Sequence, residues 1–329
     1  MRLHSGGEVV AVDSELAWVT RLVARATGGP AADPAADPAA PGAPVPAPTV
    51  RLRIEADTAP FVHSGLSPVT RGAYGDGQRQ AVLHNAGGSG FDLAVTAGDP
   101  LVVTARYRPS QPVRLANRLL AHRFGLLAGQ VLVHYPVLWR AGWRGRVPLH
   151  ASVVHTGAGT PLLAGPGGVG KSTVLAGILT AGGTATSDNL CCADQHACFG
   201  IAEPARLDGT GTGPRTSHGR IERPLAGRVD SLRPDRLVVL ERGPHTDIGP
   251  IEPAAAARVL VAGTYAAGEL RRYWAFAATL ALATGRGPAH PPVDAVARAY
   301  AARLPCIRVR IGDGETVTTG QLCGEVLAR

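Results

Sequence analysis

The chain has 329 residues, a hydrophobic fraction of 45% and a formal net charge of +8 at pH 7. This length and apolar content predict a soluble globular protein with one large domain or two of ordinary size. The arginines are scattered and form no dense run, which argues against a nucleic-acid-binding protein and favours an acidic substrate such as a nucleotide.

Residues 1–27 are predicted to form an N-terminal helical segment. The start, MRLHSGGEVV, lacks the long apolar core of a secretion signal, and the chain has no run of eighteen apolar residues. These features predict a cytoplasmic protein without a membrane span. From Asp13 to Ala26 the apolar residues recur at helical spacing, and Asp13 or Ser14 can cap the helix.

Residues 28–49 are rich in Pro and Ala and poor in large apolar side chains, which predicts a disordered linker or loop. Residues 50–146 then alternate apolar and polar positions in short runs, each of which predicts a strand. The runs begin at Val50, Gln80, Phe91 and Leu101. From Pro112 to Gly129 the spacing becomes helical. We therefore predict a mostly β domain closed by a helix.

Residues 147–329 alternate strand and helix patterns and predict an α/β domain. VPLHASVVH and TPLLAG are strand-like and precede a glycine-rich loop, the helix KSTVLAGILTAGG and two further strands, TATSDN and DRLVVLERG. A long helical stretch from PAAAARVL to ALATG, the helix PVDAVARAYAARL and a last strand, CIRVRIG, follow. In such an order, loops at strand ends bind ligands.

The segment LLAGPGGVGKSTVL contains the complete phosphate-loop pattern G-x-x-x-x-G-K-[ST], and its Lys171 is the only lysine in the chain. Glycines let backbone N–H groups point at phosphate oxygens, the lysine reaches the β- and γ-phosphates, and Ser172 can ligate Mg²⁺. The broad guanidinium of arginine does not fold back into so small a nest. We therefore predict ATP and Mg²⁺ as cofactors. The predicted nucleotide-binding residues are Gly165, Pro166, Gly167, Gly168, Val169, Gly170, Lys171, Ser172 and Thr173.

Two residues flanking the loop join Lys171 as candidate catalytic residues. His150 lies in the strand PLHASVV, twenty-one residues before the lysine, and Asp188 ends the strand after the loop helix. A lone histidine in an apolar strand is often only structural, and an aspartate at a strand end can simply cap a turn. Beside a phosphate loop, however, these side chains can steer phosphates or accept the proton of an attacking hydroxyl.

Taken in order, LHASVV, LLAGPGGVGKST and GGTATSDN resemble the HPr kinase/phosphorylase family, including its kinase-like relatives in biosynthetic gene sets. The resemblance covers roughly Val147 to Glu241. It implies an α/β fold in which a P-loop HPr kinase-like C-terminal core follows a smaller, mostly β N-terminal domain. It also implies an ATP-dependent phosphotransferase, in which Asp188 orients or deprotonates the acceptor and His150 neutralises or steers the phosphates. The implied acceptor is a hydroxyl of a peptide, a protein or a small molecule, with Ser or Thr favoured, and a homo-oligomer stays open.

The chain also departs from the family pattern. The second acid of the family's pair is Asn189 here, and the downstream glutamate that binds Mg²⁺ has three candidates, Glu203, Asp208 and Glu222. Asn189 favours an alternative, in which the chain is a non-catalytic nucleotide-binding or NTPase switch protein. A small-metabolite kinase and a nucleic-acid-associated ATPase are further alternatives.

Overall fold

The computed structural model describes residues 1–29, 46–207, 219–315 and 317–323. These residues form a mixed α/β protein with several mixed and antiparallel sheets. The chain divides into two compact units, Met1–Arg144 with Arg272–His290, and Gly145–Arg271 with Pro291–Arg329. Most of the predicted linker, and the candidate metal ligand Asp208, lie outside the described residues.

The first unit contains an eight-stranded sheet. Its strands are β1 (Arg2–Ser5), β2 (Glu8–Ser14), β3 (Val50–Glu55), β4 (Ser67–Thr70), β5 (Ala73–Gly75), β6 (Gln80–Leu83), β7 (Phe91–Thr96) and β8 (Leu101–Tyr107). Their order is β1-β2-β3-β8-β7-β6-β5-β4. Strands β2, β3 and β8 pair in parallel, and the other neighbours pair antiparallel. Every second side chain of β3 and β8 is buried, as the alternating sequence predicts.

The described residues also form a set of helices, of which the fourth in chain order is the most deeply buried. In chain order they are α1 (Ala17–Ala26), α2 (Gln111–Leu119), α3 (Ala121–Gly129), α4 (Tyr135–Gly142), α5 (Lys171–Thr180), α6 (Pro253–Ala266), α7 (Tyr273–Thr284), α8 (Val293–Arg303) and α9 (Thr319–Cys323). A π-helical turn, Gln130–His134, joins α3 to α4, and every residue of α4 is buried. Among the described helices, none has both the length and the apolar character to cross a membrane.

The prediction that residues 1–27 form only a helical segment is wrong. Strands β1 and β2 occupy the first half, and α1 begins at Ala17 rather than at Asp13. Val10 and Val12 of β2 are buried, and the strand pairs with β1 and with β3. These long-range backbone hydrogen bonds outweigh the local helical spacing from Asp13 onward.

The described residues of the second unit form three sheets. Its strands are β9 (Val147–Leu149), β10 (Ser152–His155), β11 (Pro161–Ala164), β12 (Thr184–Ala185), β13 (Cys191–Ala193), β14 (Cys198–Gly200), β15 (Ala205–Leu207), β16 (Ile221–Arg223), β17 (Ser231–Leu232), β18 (Arg236–Arg242), β19 (Asp247–Pro250) and β20 (Cys306–Ile311). A six-stranded mixed sheet has the order β12-β10-β11-β18-β20-β19, a four-stranded sheet has the order β17-β14-β13-β9, and β15 pairs with β16.

The centre of the mixed sheet positions the phosphate loop. Strands β11, β18 and β20 are parallel neighbours, and Leu163, Val238 and Val309 from these strands are fully buried. Leu175 of α5 belongs to the same apolar cluster. A helix that packs against a parallel sheet directly after a strand holds the intervening loop at the carboxyl end of that strand.

Gly200 is a packing position of this unit that tolerates no side chain. A Cβ atom at Gly200 would lie 1.8 Å from the carbonyl oxygen of Thr186, and both backbones would have to move to relieve the overlap. We expect Gly200→Ala to lower the free energy of unfolding by about 2 kcal/mol. The measurement is urea denaturation followed by circular dichroism.

Gly177→Ala is the matched control for this substitution. Gly177 lies within α5, and a Cβ atom there would have no neighbour within 4 Å. Alanine favours a helix over glycine by about 1 kcal/mol, so we expect this variant to be at least as stable as the wild type. Equal unfolding midpoints for Gly200→Ala and the wild type would contradict the close backbone approach.

Candidate nucleotide-binding site

All nine predicted nucleotide-binding residues, 165–173, lie in the loop between β11 and α5 and in the first turn of that helix. Gly170 has φ +112°, a value that other residues rarely adopt. A Cβ atom at Gly165 would lie 2.7 Å from the carbonyl oxygen of Leu240 in β18. The two glycines therefore permit both the left-handed turn into the helix and the close approach of the loop to the sheet.

The side chain of Lys171 folds back over this loop. Its Nζ atom donates hydrogen bonds to the carbonyl oxygens of Gly165 and Pro166, at 2.8 and 3.1 Å. Burial lowers the pKa of Lys171 to about 8, a shift that the charges of Asp188 and Glu269 oppose and that of Arg220 reinforces. The ammonium group is therefore still mostly charged at neutral pH.

Asp188 lies beside the first turn of α5, although not at a strand end as predicted. Strand β12 covers only Thr184–Ala185, and Asp188 follows it in a loop. Ser152 of β10 holds this loop, because its hydroxyl donates to the carbonyl oxygen of Ser187 at 2.5 Å. The backbone turns away from β10 here to reach the four-stranded sheet at β13, and this change of sheet ends the predicted strand early.

The Asp188 carboxyl group is buried, with one oxygen bound and the other without a hydrogen-bond partner in the described part of the chain. The backbone N–H of Arg206 donates to Oδ2 at 2.9 Å, while Oδ1 is the atom without a partner. Burial raises the pKa of Asp188, and the Arg206 N–H, the Ser172 hydroxyl and the charges of Arg206 and Arg220 oppose that shift. A buried carboxyl group near the Ser172 hydroxyl, with one oxygen free of hydrogen bonds among the described residues, is a suitable place for a cation.

Ser172 and Asp188 fit a magnesium ion that is bound together with a nucleotide. Mg²⁺ prefers oxygen ligands, and in nucleotide sites it takes one or two from the protein and the rest from phosphates and water. Within residues 1–29, 46–207, 219–315 and 317–323, no group of three or more His, Cys, Asp and Glu side chains could hold a metal.

His150 lies between β9 and β10, where the chain passes from the four-stranded sheet to the six-stranded sheet. The prediction of one continuous strand through His150 is therefore wrong. The residue is buried, and its backbone N–H donates to the Thr264 hydroxyl of α6 at 3.1 Å. Burial, together with the charge of Lys171, lowers the pKa of His150 to about 4. A neutral imidazole can donate a hydrogen bond to a phosphate, but it does not neutralise one.

Two residues that the sequence analysis missed complete the cluster, Arg206 and Glu269. Glu269 Oε1 accepts hydrogen bonds from the Arg206 guanidinium at 2.5 Å and from the Asn189 side-chain amide at 3.2 Å. Glu269 lies in the turn between α6 and α7, which interrupts the long helical stretch that the sequence predicts. It is the only acidic residue in residues 253–293, and this isolation is the one signal that could have singled it out.

The candidate metal ligand Glu203 has a different position. Its Oε1 accepts hydrogen bonds from the backbone N–H groups of Asn189 and Leu190, both at 2.8 Å, so it fixes the backbone immediately after Asp188. Burial raises the pKa of Glu203 to about 7, against the opposing charge of Arg206. The other described candidate, Glu222, lies in β16.

The raised pKa of Glu203 predicts a pH-dependent difference in stability between the wild type and Glu203→Gln. The folded protein keeps the Glu203 proton up to a pKa of about 7, while the ordinary value is 4.5. Its contribution to stability is therefore largest below pH 4.5 and is lost as the pH rises through about 7. A glutamine keeps the acceptor for both N–H groups but does not titrate. Between pH 4.5 and about pH 7, the free energy of unfolding of the wild type should fall by about 3 kcal/mol relative to that of Glu203→Gln.

The measurement is urea denaturation of both proteins from mildly acidic to mildly basic pH. Because His150 and other groups titrate in both proteins, only the difference between the two reports on Glu203. A difference that stays constant over the whole range would contradict the assigned environment of Glu203.

Together, these observations define a mixed α/β protein with a glycine-rich loop that has the phosphate-loop sequence pattern and a cluster of buried charged residues beside it. No family model matches the chain, and a comparison with curated proteins found no match either. The geometry of the site is therefore the basis for a functional assignment.

Proposed function

We propose that the protein is an ATP-dependent phosphotransferase of the HPr kinase-like family, which transfers the γ-phosphate of ATP to a hydroxyl group. The favoured acceptor is Ser or Thr of a peptide or protein, in a peptide natural-product or other biosynthetic pathway. The observation that carries this proposal is the placement of the Asp188 carboxyl group beside Ser172 and within electrostatic range of Lys171. A carboxyl group at this place can hold the Mg²⁺ of a bound nucleotide, which phosphoryl transfer requires.

Nucleotide binding would use the loop and the amino-terminal end of α5. The backbone N–H groups of this loop and the positive end of the helix dipole attract phosphate oxygens. Lys171 would exchange its hydrogen bonds to Gly165 and Pro166 for hydrogen bonds to the β- and γ-phosphates. Ser172 and Asp188 would hold Mg²⁺, which when bound neutralises part of the charge that develops on the phosphates.

In the transfer step, the acceptor oxygen forms a bond to the γ-phosphorus while the bond from that phosphorus to the ADP oxygen breaks. The acceptor hydroxyl also loses its proton to a nearby base. The neutral His150 can orient a phosphate oxygen with a hydrogen bond, and Lys171 stabilises the charge on the transferred group.

A second candidate function, a nucleotide-binding or NTPase switch, is favoured by the contacts of Asn189. Its side-chain amide is a donor to Glu269, so this position presents no second carboxylate beside Asp188. A switch protein would hydrolyse the nucleotide and release inorganic phosphate. The hydrolysis would change its affinity for a partner, and no acceptor would be modified.

The experiment that separates these functions uses γ-labelled ATP, Mg²⁺ and separate pools of Ser- and Thr-containing peptides and of small-molecule alcohols. We expect the label to appear on an acceptor of one pool, with the peptides favoured. Labelled inorganic phosphate released at the same rate with and without acceptors would support the switch instead. Faster release of labelled phosphate when nucleic acid is added would support the alternative of a nucleic-acid-associated ATPase.

A further inference from the structure

Three carboxyl groups of the described residues, Asp188, Glu203 and Glu269, belong to the charged cluster at the site, and they differ in their access to solvent. Asp188 and Glu203 are 1% and 2% exposed, whereas 20% of the Glu269 side chain is exposed. An acceptor hydroxyl that enters from solvent can reach Glu269 without displacing the buried core of the site. The two buried carboxyl groups do not offer this access.

The contacts of the three groups also differ. Asp188 lies beside Ser172 and is held by the Arg206 backbone, which fits a role at the cation. Glu203 uses one carboxyl oxygen to hold two backbone N–H groups, which fits a structural role. Glu269 is fixed by two side chains, Arg206 and Asn189.

The titratable groups around Glu269 come from several elements. Arg206 comes from β15, His150 from the bend between β9 and β10, and Lys171 from the start of α5. Burial by itself would raise the pKa of Glu269, but the Arg206 charge, a backbone hydrogen bond and His150 lower it below its ordinary value. Glu269 is therefore ionised at neutral pH, as a proton acceptor must be.

We propose that Glu269 accepts the proton of the attacking hydroxyl, while Asp188 stays at the metal. The acceptor oxygen bonds to the γ-phosphorus, ADP leaves with the electrons of the broken bond, and the hydroxyl proton moves to the Glu269 carboxylate and then to solvent. Asn189 and Arg206 position the carboxylate for this step. This inference depends on the proposed phosphotransferase function.

Glu269→Gln tests the proton transfer without removing the hydrogen bonds. The glutamine carbonyl can still accept from Arg206 and from Asn189, but it is too weak a base to take the proton. With the best acceptor from the pool of Ser- and Thr-containing peptides, we expect kcat to fall about 100-fold. The affinity for a fluorescent ADP analogue should stay within about twofold of the wild-type value, because the glutamine keeps the hydrogen bonds to Arg206 and Asn189. Glu252→Gln, at an exposed position before α6, is the matched control and should retain wild-type kcat.

Glu269→Ala with added formate separates proton transfer from a purely structural role. Formate can enter the space left by the side chain and act as the base, so it should restore part of kcat. A wild-type kcat in Glu269→Gln would overturn the inference while leaving the phosphotransferase function in place. Loss of kcat together with nucleotide affinity, with no response to formate, would also overturn it. If the wild type transferred no phosphate to any acceptor, the proposed function would fail, and the inference would fail with it.

Discussion

Lys171→Ala is expected to lower the rate of phosphate transfer by about 100- to 1000-fold, the usual effect of removing a preorganised charge from a transition state. The substitution removes an ammonium group that lies over the loop within reach of the Gly165 and Pro166 carbonyl oxygens. The measurement is the initial rate of label transfer from γ-labelled ATP, together with titration of a fluorescent ADP analogue. We expect weaker nucleotide binding as well, because the ammonium group of Lys171 also attracts the phosphates of the bound nucleotide before transfer.

Lys171→Arg tests whether the shape of the cation matters in addition to its charge. One Nζ atom makes both hydrogen bonds to the loop, and a planar guanidinium cannot place a single donor in the same position. We therefore expect the arginine variant to be as impaired as the alanine variant, although its charge is retained. Arg298→Ala, which removes an exposed cation of α8, should transfer phosphate at the wild-type rate. Normal transfer by Lys171→Arg would contradict the assigned role of the compact ammonium group.

Asp188→Asn is expected to keep nucleotide binding and to lose at least about 100-fold in turnover. The asparagine side-chain oxygen can still accept the hydrogen bond from the Arg206 backbone N–H, so the local fold should persist. The negative charge beside Ser172 is lost, however, and with it the group that would hold Mg²⁺. Steady-state kinetics over a range of Mg²⁺ concentrations and a parallel binding titration are the measurements.

The same substitution should change the pH dependence of nucleotide binding. The charge of Asp188 raises the pKa of Lys171, which is nevertheless lowered to about 8 by burial. Without that charge, Lys171 loses its proton at a lower pH, and nucleotide affinity should decline from a lower pH than in the wild type. Full turnover in Asp188→Asn, with an unchanged binding profile, would contradict the role assigned to this carboxyl group.

The phosphate loop could be predicted from the sequence because its requirements are local. The loop has glycines at fixed spacing, and the segments before and after it have the patterns of a strand and a helix. The structure has this arrangement, with β11 before the loop and α5 after it. The strand DRLVVLERG was also predictable, because a continuous apolar run is typical of a strand buried on both faces. It corresponds to β18, whose four central residues are buried.

The rest of the cluster could not be predicted, because distant segments form it. Arg206 and Asn189 are 63 and 80 residues before Glu269, and no local pattern brings them together. Glu269 also lies in a break that helix propensity marks only with Gly268, and one glycine does not decide the matter, since Gly263 lies within α6. Strand β2 was missed for a related reason, because Val10 pairs with Val50 of the distant strand β3. The hairpin of β1 and β2, in contrast, has a local signal in Gly6 and Gly7 that was not used.

Mass spectrometry of an acceptor pool after incubation with ATP and Mg²⁺ tests the proposed function most directly. We expect the wild-type protein to add one phosphoryl group to an acceptor hydroxyl, with one ADP formed for each group transferred. Lys171→Ala should give at least about 100-fold less modified acceptor in the same time. Release of inorganic phosphate alone, at a rate that no acceptor changes, would contradict the phosphotransferase.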